Sequence, residues 1–180
     1  VESGLWPAIR QRPFSKIANP AQIPRDIFVS VYSTAPCAAD QAFVLEGREK
    51  EFETGLNVLE MLTSGKVHLN IARDESKQMF TQAKNVQINR FSGPHPAGNI
   101  GIQIHHLAPI SSKNDIVWYL SAQSVADIGK FLRAGSYPTE KIITLGGPSI
   151  SKPAYIKIRK GTSLNDILED NPEKVNEDSY

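Results

Sequence analysis

A glycine- and proline-rich segment, residues 91–101, contains the residue types best suited to holding a ligand or a partner's backbone. Its glycines are Gly93, Gly98 and Gly101, and His95 lies between two prolines. Glycine lets another group approach closely, and a rigid glycine-lined loop that opens a helix can bind an anion or a nucleotide. The alternative is a rigid turn that only lets the helix pack closely on a sheet. For His95 the alternative is a structural role, with its ring tying the loop to backbone carbonyls.

The spacing of these glycines excludes two common nucleotide motifs. The pattern G-x4-G-x2-G differs from the dinucleotide fingerprint G-x-G-x-x-G. Gly93 and Gly98 have the spacing of a P-loop, but Asn99 stands where the P-loop lysine would be, and no serine or threonine follows to hold magnesium. The sequence therefore argues against an NTPase and leaves other ligands open.

A second group of candidate residues mixes aromatic rings with cations near the amino terminus. Its members are Trp6, Arg10, Arg12, Phe14 and Lys16. Stacking on the rings and hydrogen bonds from the cations can hold a quinone head group. The alternative is a lead-in segment whose aromatic side chains pack on the domain that follows.

The histidines and the single cysteine give no pattern typical of a metal or covalent site. His105 and His106 are adjacent, so on a helix they point about 100° apart and cannot easily share one metal. We interpret them and His68 as hydrogen-bonded structural or surface histidines. One cysteine, Cys37, allows neither an internal disulfide nor a four-cysteine cluster, and we expect it to be a small buried apolar residue. The sequence predicts that the chain binds no flavin, metal or iron–sulfur cluster.

The composition is that of a globular protein and excludes several partner classes. The 180 residues suit one domain with part of a second, and 40% of them are hydrophobic. The net charge is +1, which argues against nucleic-acid binding. The longest apolar run, Ile116–Leu120, is far shorter than the roughly 20 residues of a membrane span. The chain begins with Val1 and shows no signal peptide, and we interpret it as an internal fragment.

Strand-like and helix-like patterns alternate along the chain, which predicts an α/β fold with a mainly parallel, Rossmann-like sheet and helices on both faces. The predicted strands are 27–32, 66–72, 86–91, 116–120 and 141–145, and the predicted helices are 4–11, 39–46, 48–63, 75–82, 97–106 and one from a capping box at Ser124 to Gly135. A strand at 155–159 and a helix around Leu164 follow Lys152-Pro153, and we expect residues 170–180 to be frayed.

The loop also carries a resemblance to a known family. Gly93-Pro-His-Pro-Ala-Gly98, with Gly101 and His105 after it, resembles the signature of the NqrA family, one of the subunits of the sodium-translocating NADH:quinone reductase. Similarity extends along the chain, through Ser3–Trp6, Arg12–Lys16, Phe52, Gly55-Leu56, Leu62-Thr63, Gly65–Val67, Leu145, Gly147-Pro148 and Lys152-Pro153. One departure weakens any metal site built on paired histidines, because Gln103 stands where the family leads us to expect the first histidine of a His-x-His pair.

The resemblance implies a peripheral subunit on the cytoplasmic face of the bacterial inner membrane, within a complex that passes electrons from NADH to a quinone and exports sodium. The fragment would dock other subunits and contact ubiquinone or menaquinone, without a cofactor, redox chemistry or transmembrane segment of its own. The implied domains are a lead-in at 1–26, the α/β domain at 27–150 and the truncated start of a β-grasp-like SLBB module at 151–180.

Two alternatives to this function stay open. One is a flavin- or NADH-binding module similar to the C subunit of the Rnf complex or the NADH-binding subunit of complex I, in which an equivalent glycine loop serves the nucleotide. The other is a pure interaction domain without a ligand.

Overall fold

The computed structural model describes residues 2–169, and contacts group them into two units. The first unit contains the described residues up to Ala35 and those of Gln41–Tyr137, and the second contains Pro36–Asp40 and the described residues from Pro138 onward.

The first unit is built on a six-stranded, mostly parallel sheet. Its strands are β1 (Arg10–Arg12), β2 (Lys16–Ile17), β3 (Asp26–Ser30), β4 (Val67–Ala72), β5 (Gln87–Phe91) and β6 (Val117–Ser121), in the order β2-β1-β6-β3-β4-β5. Strands β6, β3, β4 and β5 run parallel, as the alternation of strands and helices predicts. The antiparallel pair β1 and β2 extends the sheet beside β6.

Helices cover both faces of this sheet. They are α1 (Gln41–Val44), α2 (Glu49–Glu60), α3 (Gln78–Thr81), α4 (Ile100–Leu107) and α5 (Ala122–Ala134). The larger core joins one sheet face to α2 and α5, because Phe52, Leu56 and Leu59 fall on one side of α2 and are all buried. A smaller core of Phe28, Ile104 and Val117 lies under α4 on the other face.

The amino-terminal segment differs from its predicted helix at 4–11. Only one turn of 3-10 helix forms, over Trp6–Ala8, and Ile9 is already extended. Residues Arg10–Arg12 then pair antiparallel with β6. Pairing with an existing strand gives the backbone groups of this short segment partners along its whole length, which outweighs a local helix preference.

The N-cap of helix α5 lies three residues before the predicted one at Ser124. The side chain of Ser121, not that of Ser124, caps the helix and accepts a hydrogen bond from the Ser124 amide. The predicted stop is confirmed, since Gly135 adopts a left-handed φ of 65° and its amide bonds to the Phe131 carbonyl.

The second unit contains a two-stranded antiparallel sheet of β7 (Glu140–Leu145) and β8 (Ala154–Arg159), with helix α6 (Leu164–Glu169) after it. The strand predicted at 141–145 forms, but it pairs with β8 and is not a fifth member of the parallel sheet. Cys37 is exposed, contrary to the predicted burial, and its carbonyl accepts a hydrogen bond from the Thr144 hydroxyl at 2.6 Å. The expectation of fraying at 170–180 concerns residues outside the described range.

Candidate functional site

The glycine-rich loop connects the end of β5 to the start of α4 and packs on the segment that follows β3. The Gly98 amide donates to the Thr34 hydroxyl at 2.9 Å, and a Cβ at Gly98 would lie 2.3 Å from the Thr34 amide nitrogen. The Tyr32 hydroxyl donates to the Gly93 carbonyl at 3.1 Å. The close partner of Gly98 is therefore this chain's own backbone, as the rigid-turn interpretation requires.

His95 and Gly93 hold the outer part of this loop. His95 Nδ1 lies 3.2 Å from the Thr34 hydroxyl, so the ring ties the loop to a side chain and not to the backbone carbonyls that we predicted. Gly93 has a φ of 138°, which side chains of L-residues rarely adopt. A single hydroxyl, that of Thr34, thus contacts both His95 and the amide of Gly98.

The aromatic and cationic residues near the amino terminus do not form one cluster. Trp6 packs edge-on against Trp118, with ring centroids 5.4 Å apart, and its indole donates to the Ala18 carbonyl. The guanidinium of Arg12 lies over the Tyr119 ring, 5.3 Å from its centroid. Trp118 and Tyr119 are consecutive in β6 and point to opposite faces of the sheet. Trp6 and Arg12 are therefore separated by the sheet.

The other cations of this group also point away from a common centre. Arg10 is exposed and lies on the same face as Arg12, two residues along β1. Lys16 is exposed and lies directly opposite Gln11, which faces the side of Trp118. The structure brings Arg12 and Phe14 together and leaves Trp6, Arg10 and Lys16 apart from them.

Arg12 and Phe14 meet the start of α4 in a cleft of about 260 Å³. We call it the Arg12 cleft, and its lining residues are Arg12, Pro13, Phe14, Gly101, Ile104, His105 and Ile110. The Asn99 side chain caps α4 by accepting from the Gly101 amide at 2.8 Å. A Cβ at Gly101 would lie 3.5 Å from Arg12 Nη2, so the guanidinium rests close above this glycine. Two candidate groups that are separate in the sequence thus share one cleft.

Arg12 is unusual among the arginines that lie against the protein. Arg25 pairs with Asp115 and Arg48 with Asp127, but Arg12 Nε is shielded from solvent and has no hydrogen-bond acceptor among the described residues. A guanidinium offers five donors in a planar fork, and a shielded donor without an acceptor is costly. With Phe14 74% exposed at the rim, the cleft offers donors and an aromatic face to a planar ligand that carries oxygen atoms.

Sequence reasoning did not identify Ile110, which lines this cleft, or Tyr119, whose ring lies under the Arg12 guanidinium. Tyr119 alternates with the buried Trp118 and Leu120 in β6, so the period of two in the strand already placed it on the opposite face. The period of two could have predicted which face of the sheet Tyr119 occupies. It could not have predicted that Arg12 lies beside Tyr119.

Buried polar side chains lie on the α4 side of the sheet, at Asp26 on β3 and at His68 and Asn70 on β4, and the half-buried Asn89 follows on β5. His68 stacks on Phe28 with ring centroids 4.5 Å apart, and its Nε2 is 3.8 Å from Asp26 Oδ1. Burial lowers the pKa of His68 below 6.5, and this effect exceeds the opposing attraction of Asp26. The interpretation of His68 as a hydrogen-bonded structural residue fits this environment.

Neither a metal centre nor a membrane span is found in the described part of the chain. Residues 2–169 contain no group of three or more histidine, cysteine or acidic side chains placed to bind one metal ion. None of the helices in this range combines the length and the apolar character needed to cross a bilayer.

Comparison with known proteins places this geometry in a family context. Residues 1–137 match the family described as the NqrA second alpha/beta domain. The chain is 42% identical over 167 residues to the NqrA subunit of the Na(+)-translocating NADH-quinone reductase of Yersinia pestis bv. Antiqua, covering 92% of this chain and 36% of that protein. The corresponding subunit from Rhodopirellula baltica is 43% identical over 169 residues, covering 94% of this chain and 37% of its own length. The chain thus spans a little over a third of these relatives.

Proposed function

Since the chain belongs to the family of the NqrA second α/β domain, we propose that it serves as a docking and quinone-contacting domain of a sodium-translocating NADH:quinone reductase. Its partners would be the other subunits of that complex, at the cytoplasmic face of the bacterial inner membrane. The observation that supports this proposal most strongly is the family match. The proposed reaction is the one named for the relatives, sodium-translocating NADH:quinone reduction.

The Arg12 cleft is the proposed quinone contact. The Arg12 guanidinium can donate to a quinone carbonyl, and Phe14 at the rim can stack on the quinone ring. Trp6, Arg10 and Lys16 lie outside the cleft lining, so the proposal is narrower than the sequence pattern suggested. The quinone would be ubiquinone or menaquinone, and electrons would come from redox groups elsewhere in the complex.

The glycine loop supports docking over nucleotide binding. Its closest approach, at Gly98, is already filled by the backbone of Ser33 and Thr34, which leaves no space there for a phosphate. The exposed side of the loop, Ser92 to Pro96, remains available to a neighbouring subunit. This geometry favours the proposed subunit domain over the flavin- or NADH-binding alternative.

We also propose a Rossmann-like fold for the first unit and an SLBB-like identity for the second. A mostly parallel sheet with helices on both faces supports the first assignment. Pairing of β7 with β8 supports a module boundary nearer Pro138 than the boundary after residue 150 that the sequence suggested.

A quinone with a photoreactive group should label the 12–14 segment of the assembled complex, as mapped by peptide mass spectrometry. Replacing Arg12 by Gln should reduce labelling about tenfold or more, because a hydrogen bond from a charged group contributes roughly 1.5–3 kcal/mol. Arg10→Gln is the matched control, since Arg10 lies on the same strand and face but outside the cleft lining. Equal labelling of both variants, or labelling confined to other subunits, would refute the contact.

The purified chain should contain no flavin, metal or iron–sulfur cluster. Neither nucleotide motif is complete, and Cys37 is the single source of thiolate. An absorbance spectrum and elemental analysis test this expectation. Stoichiometric flavin absorbance, or about one metal per chain, would instead favour a redox module of the Rnf or complex I type.

A further inference from the structure

Three side-chain amides and one imidazole form a continuous row of hydrogen bonds beneath α4. Asn70 Nδ2 donates to Gln103 Oε1 at 2.9 Å, and Asn89 Nδ2 donates to Asn70 Oδ1 at 2.9 Å. Asn89 Nδ2 also lies 3.2 Å from His68 Nδ1. Asn70 and Gln103 are fully buried and His68 is 5% exposed. We call these four residues the amide row, and it runs from the sheet to helix α4.

The amide row fixes which nitrogen of His68 carries the proton. Because an amide nitrogen can only donate, His68 Nδ1 must accept, and the proton of the neutral ring is on Nε2, towards Asp26. The two bonds between amides have the same polarity, since each nitrogen donates in the direction of Gln103. Gln103 Nε2 itself is buried and has no acceptor among the described residues. In this polarity the row therefore leaves one buried donor unsatisfied.

We propose that the amide row reverses its hydrogen-bond polarity when His68 takes up a second proton, and that this reversal couples pH to helix α4. A protonated ring has N–H groups on both nitrogens, so Nδ1 would face the Asn89 nitrogen as donor against donor. Rotating the Asn89 amide places its oxygen at Nδ1 and removes this conflict. Asn70 and then Gln103 must rotate in turn, because each keeps its bond only if its neighbour's polarity matches.

The reversed row gives Gln103 Nε2 the acceptor that it lacks in the present row. Gln103 Nε2 would donate to Asn70 Oδ1, Asn70 Nδ2 to Asn89 Oδ1, and the charged His68 Nδ1–H to Asn89 Oδ1. Two costs oppose reversal. Asn89 Oδ1 would come near the Gln87 carbonyl, which now lies 3.2 Å from Asn89 Nδ2, and Gln103 Oε1 would turn to the position where Gln103 Nε2 now has no partner. These costs hold the present polarity while His68 is neutral, and the charge-assisted bond outweighs them once His68 is protonated.

The charges around His68 set the pH range of the switch. Asp26 on β3 favours the protonated ring, whereas burial, Lys66 and Arg25 disfavour it and lower its pKa below 6.5. The neighbouring positions of β5, Gln87 and Asn89, are uncharged. The unfolded chain therefore takes up this proton first, so the free energy of unfolding decreases as the pH falls from about 6.5 to the folded-state pKa and then levels off. Reversal belongs to the lower end of that range.

Helix α4 links the row to a functional surface. The same helix carries Gly101, Ile104 and His105 into the Arg12 cleft, and Gln103 directly precedes Ile104. A rotation of the Gln103 side chain therefore takes place next to a residue that lines the cleft. The switch depends on the amide row and on protonation of His68, and it holds whether or not the cleft binds quinone.

Nuclear magnetic resonance titration of the 180-residue chain tests the switch. The side-chain amide signals of Gln103 and Asn70 should move with the same midpoint as the His68 ring, and the Ile104 backbone amide should follow. His68→Phe should abolish these movements, since phenylalanine keeps the ring stacking but cannot titrate. His105→Gln with His106→Gln is the matched control, because both histidines are exposed and should leave the midpoint unchanged.

The row is also tested by breaking it at its half-buried member. In Asn89→Ala, His68 should still titrate, with a higher midpoint because Nδ1 loses the donor that keeps it an acceptor, and the Gln103 signals should no longer respond. Gln103 signals that stay flat in the wild-type chain while His68 titrates would overturn the proposal, whatever the variants do. A response that persists in His68→Phe would assign the titration to another group and overturn it equally.

Discussion

Replacing Gly129 by alanine should destabilise the first unit more than any exposed substitution on the same helix. A Cβ at Gly129 would lie 1.8 Å from the Glu51 carbonyl oxygen and 2.9 Å from the Gly55 amide nitrogen, so α2 and α5 would have to move apart. In open space the change would stabilise a helix by up to about 1 kcal/mol. Overpacking typically costs about 1–3 kcal/mol. A decrease in the free energy of unfolding would therefore show that overpacking outweighs the higher helix propensity of alanine.

Chemical denaturation measures this loss, and the thermal midpoint should fall by about 2–4 °C per kcal/mol for a chain of this size. Arg133→Ala is the control, since Arg133 is an exposed residue of α5 and its loss should change the free energy of unfolding by less than about 0.5 kcal/mol. A more stable Gly129→Ala variant would show that the two helices do not approach as closely as described.

Replacing Gly98 by valine should also lower the free energy of unfolding strongly. The new side chain would start 2.3 Å from the Thr34 amide nitrogen and 2.7 Å from the Ser33 Cα, which are backbone atoms that cannot rotate away. The backbone of Gly98 does not have the positive φ that could have added strain, so the whole cost comes from packing. We expect a loss of about 1–3 kcal/mol or more, and Gly98→Ala should fall between valine and the wild type.

The matched control is Ser92→Val, which puts the same side chain at an exposed position of the same loop. Thermal unfolding of the chain reports the structural effect, and assembly and quinone reduction of the whole complex report the functional one. A normal midpoint with poor assembly would assign the loop to docking alone. Unchanged stability together with unchanged assembly would make the loop an ordinary surface turn.

Local sequence patterns determined most of the elements of the first unit. Helix α2 was predictable because Phe52, Leu56 and Leu59 repeat with the helical period, and Gly135 marked the end of α5. The run of strands and helices was enough to predict parallel pairing, which the structure confirms for β3, β4, β5 and β6. These features depend on neighbours within a few residues, and that is the range over which periodicity and capping act.

Pairing partners were decided by tertiary structure alone. Residues 10–12 became a strand because β6 offered an edge, and 141–145 joined β8 because a strand's own sequence does not state which edge it will meet. A period of two assigns side chains to a face, but the partner depends on long-range register.

The Arg12 cleft and the amide row show the same difference between what the sequence predicts and what the tertiary structure decides. The sequence identified Arg12, Phe14 and Gly101 as residues of interest, but only the fold brought the guanidinium over Tyr119 and beside the start of α4. His68 and Asn70 alternate visibly within β4, yet their bonds to Asn89 and Gln103 depend on the register of β5 and the placement of α4. Residue types and spacing are local properties of the chain, whereas a convergent site is a property of distances between distant segments.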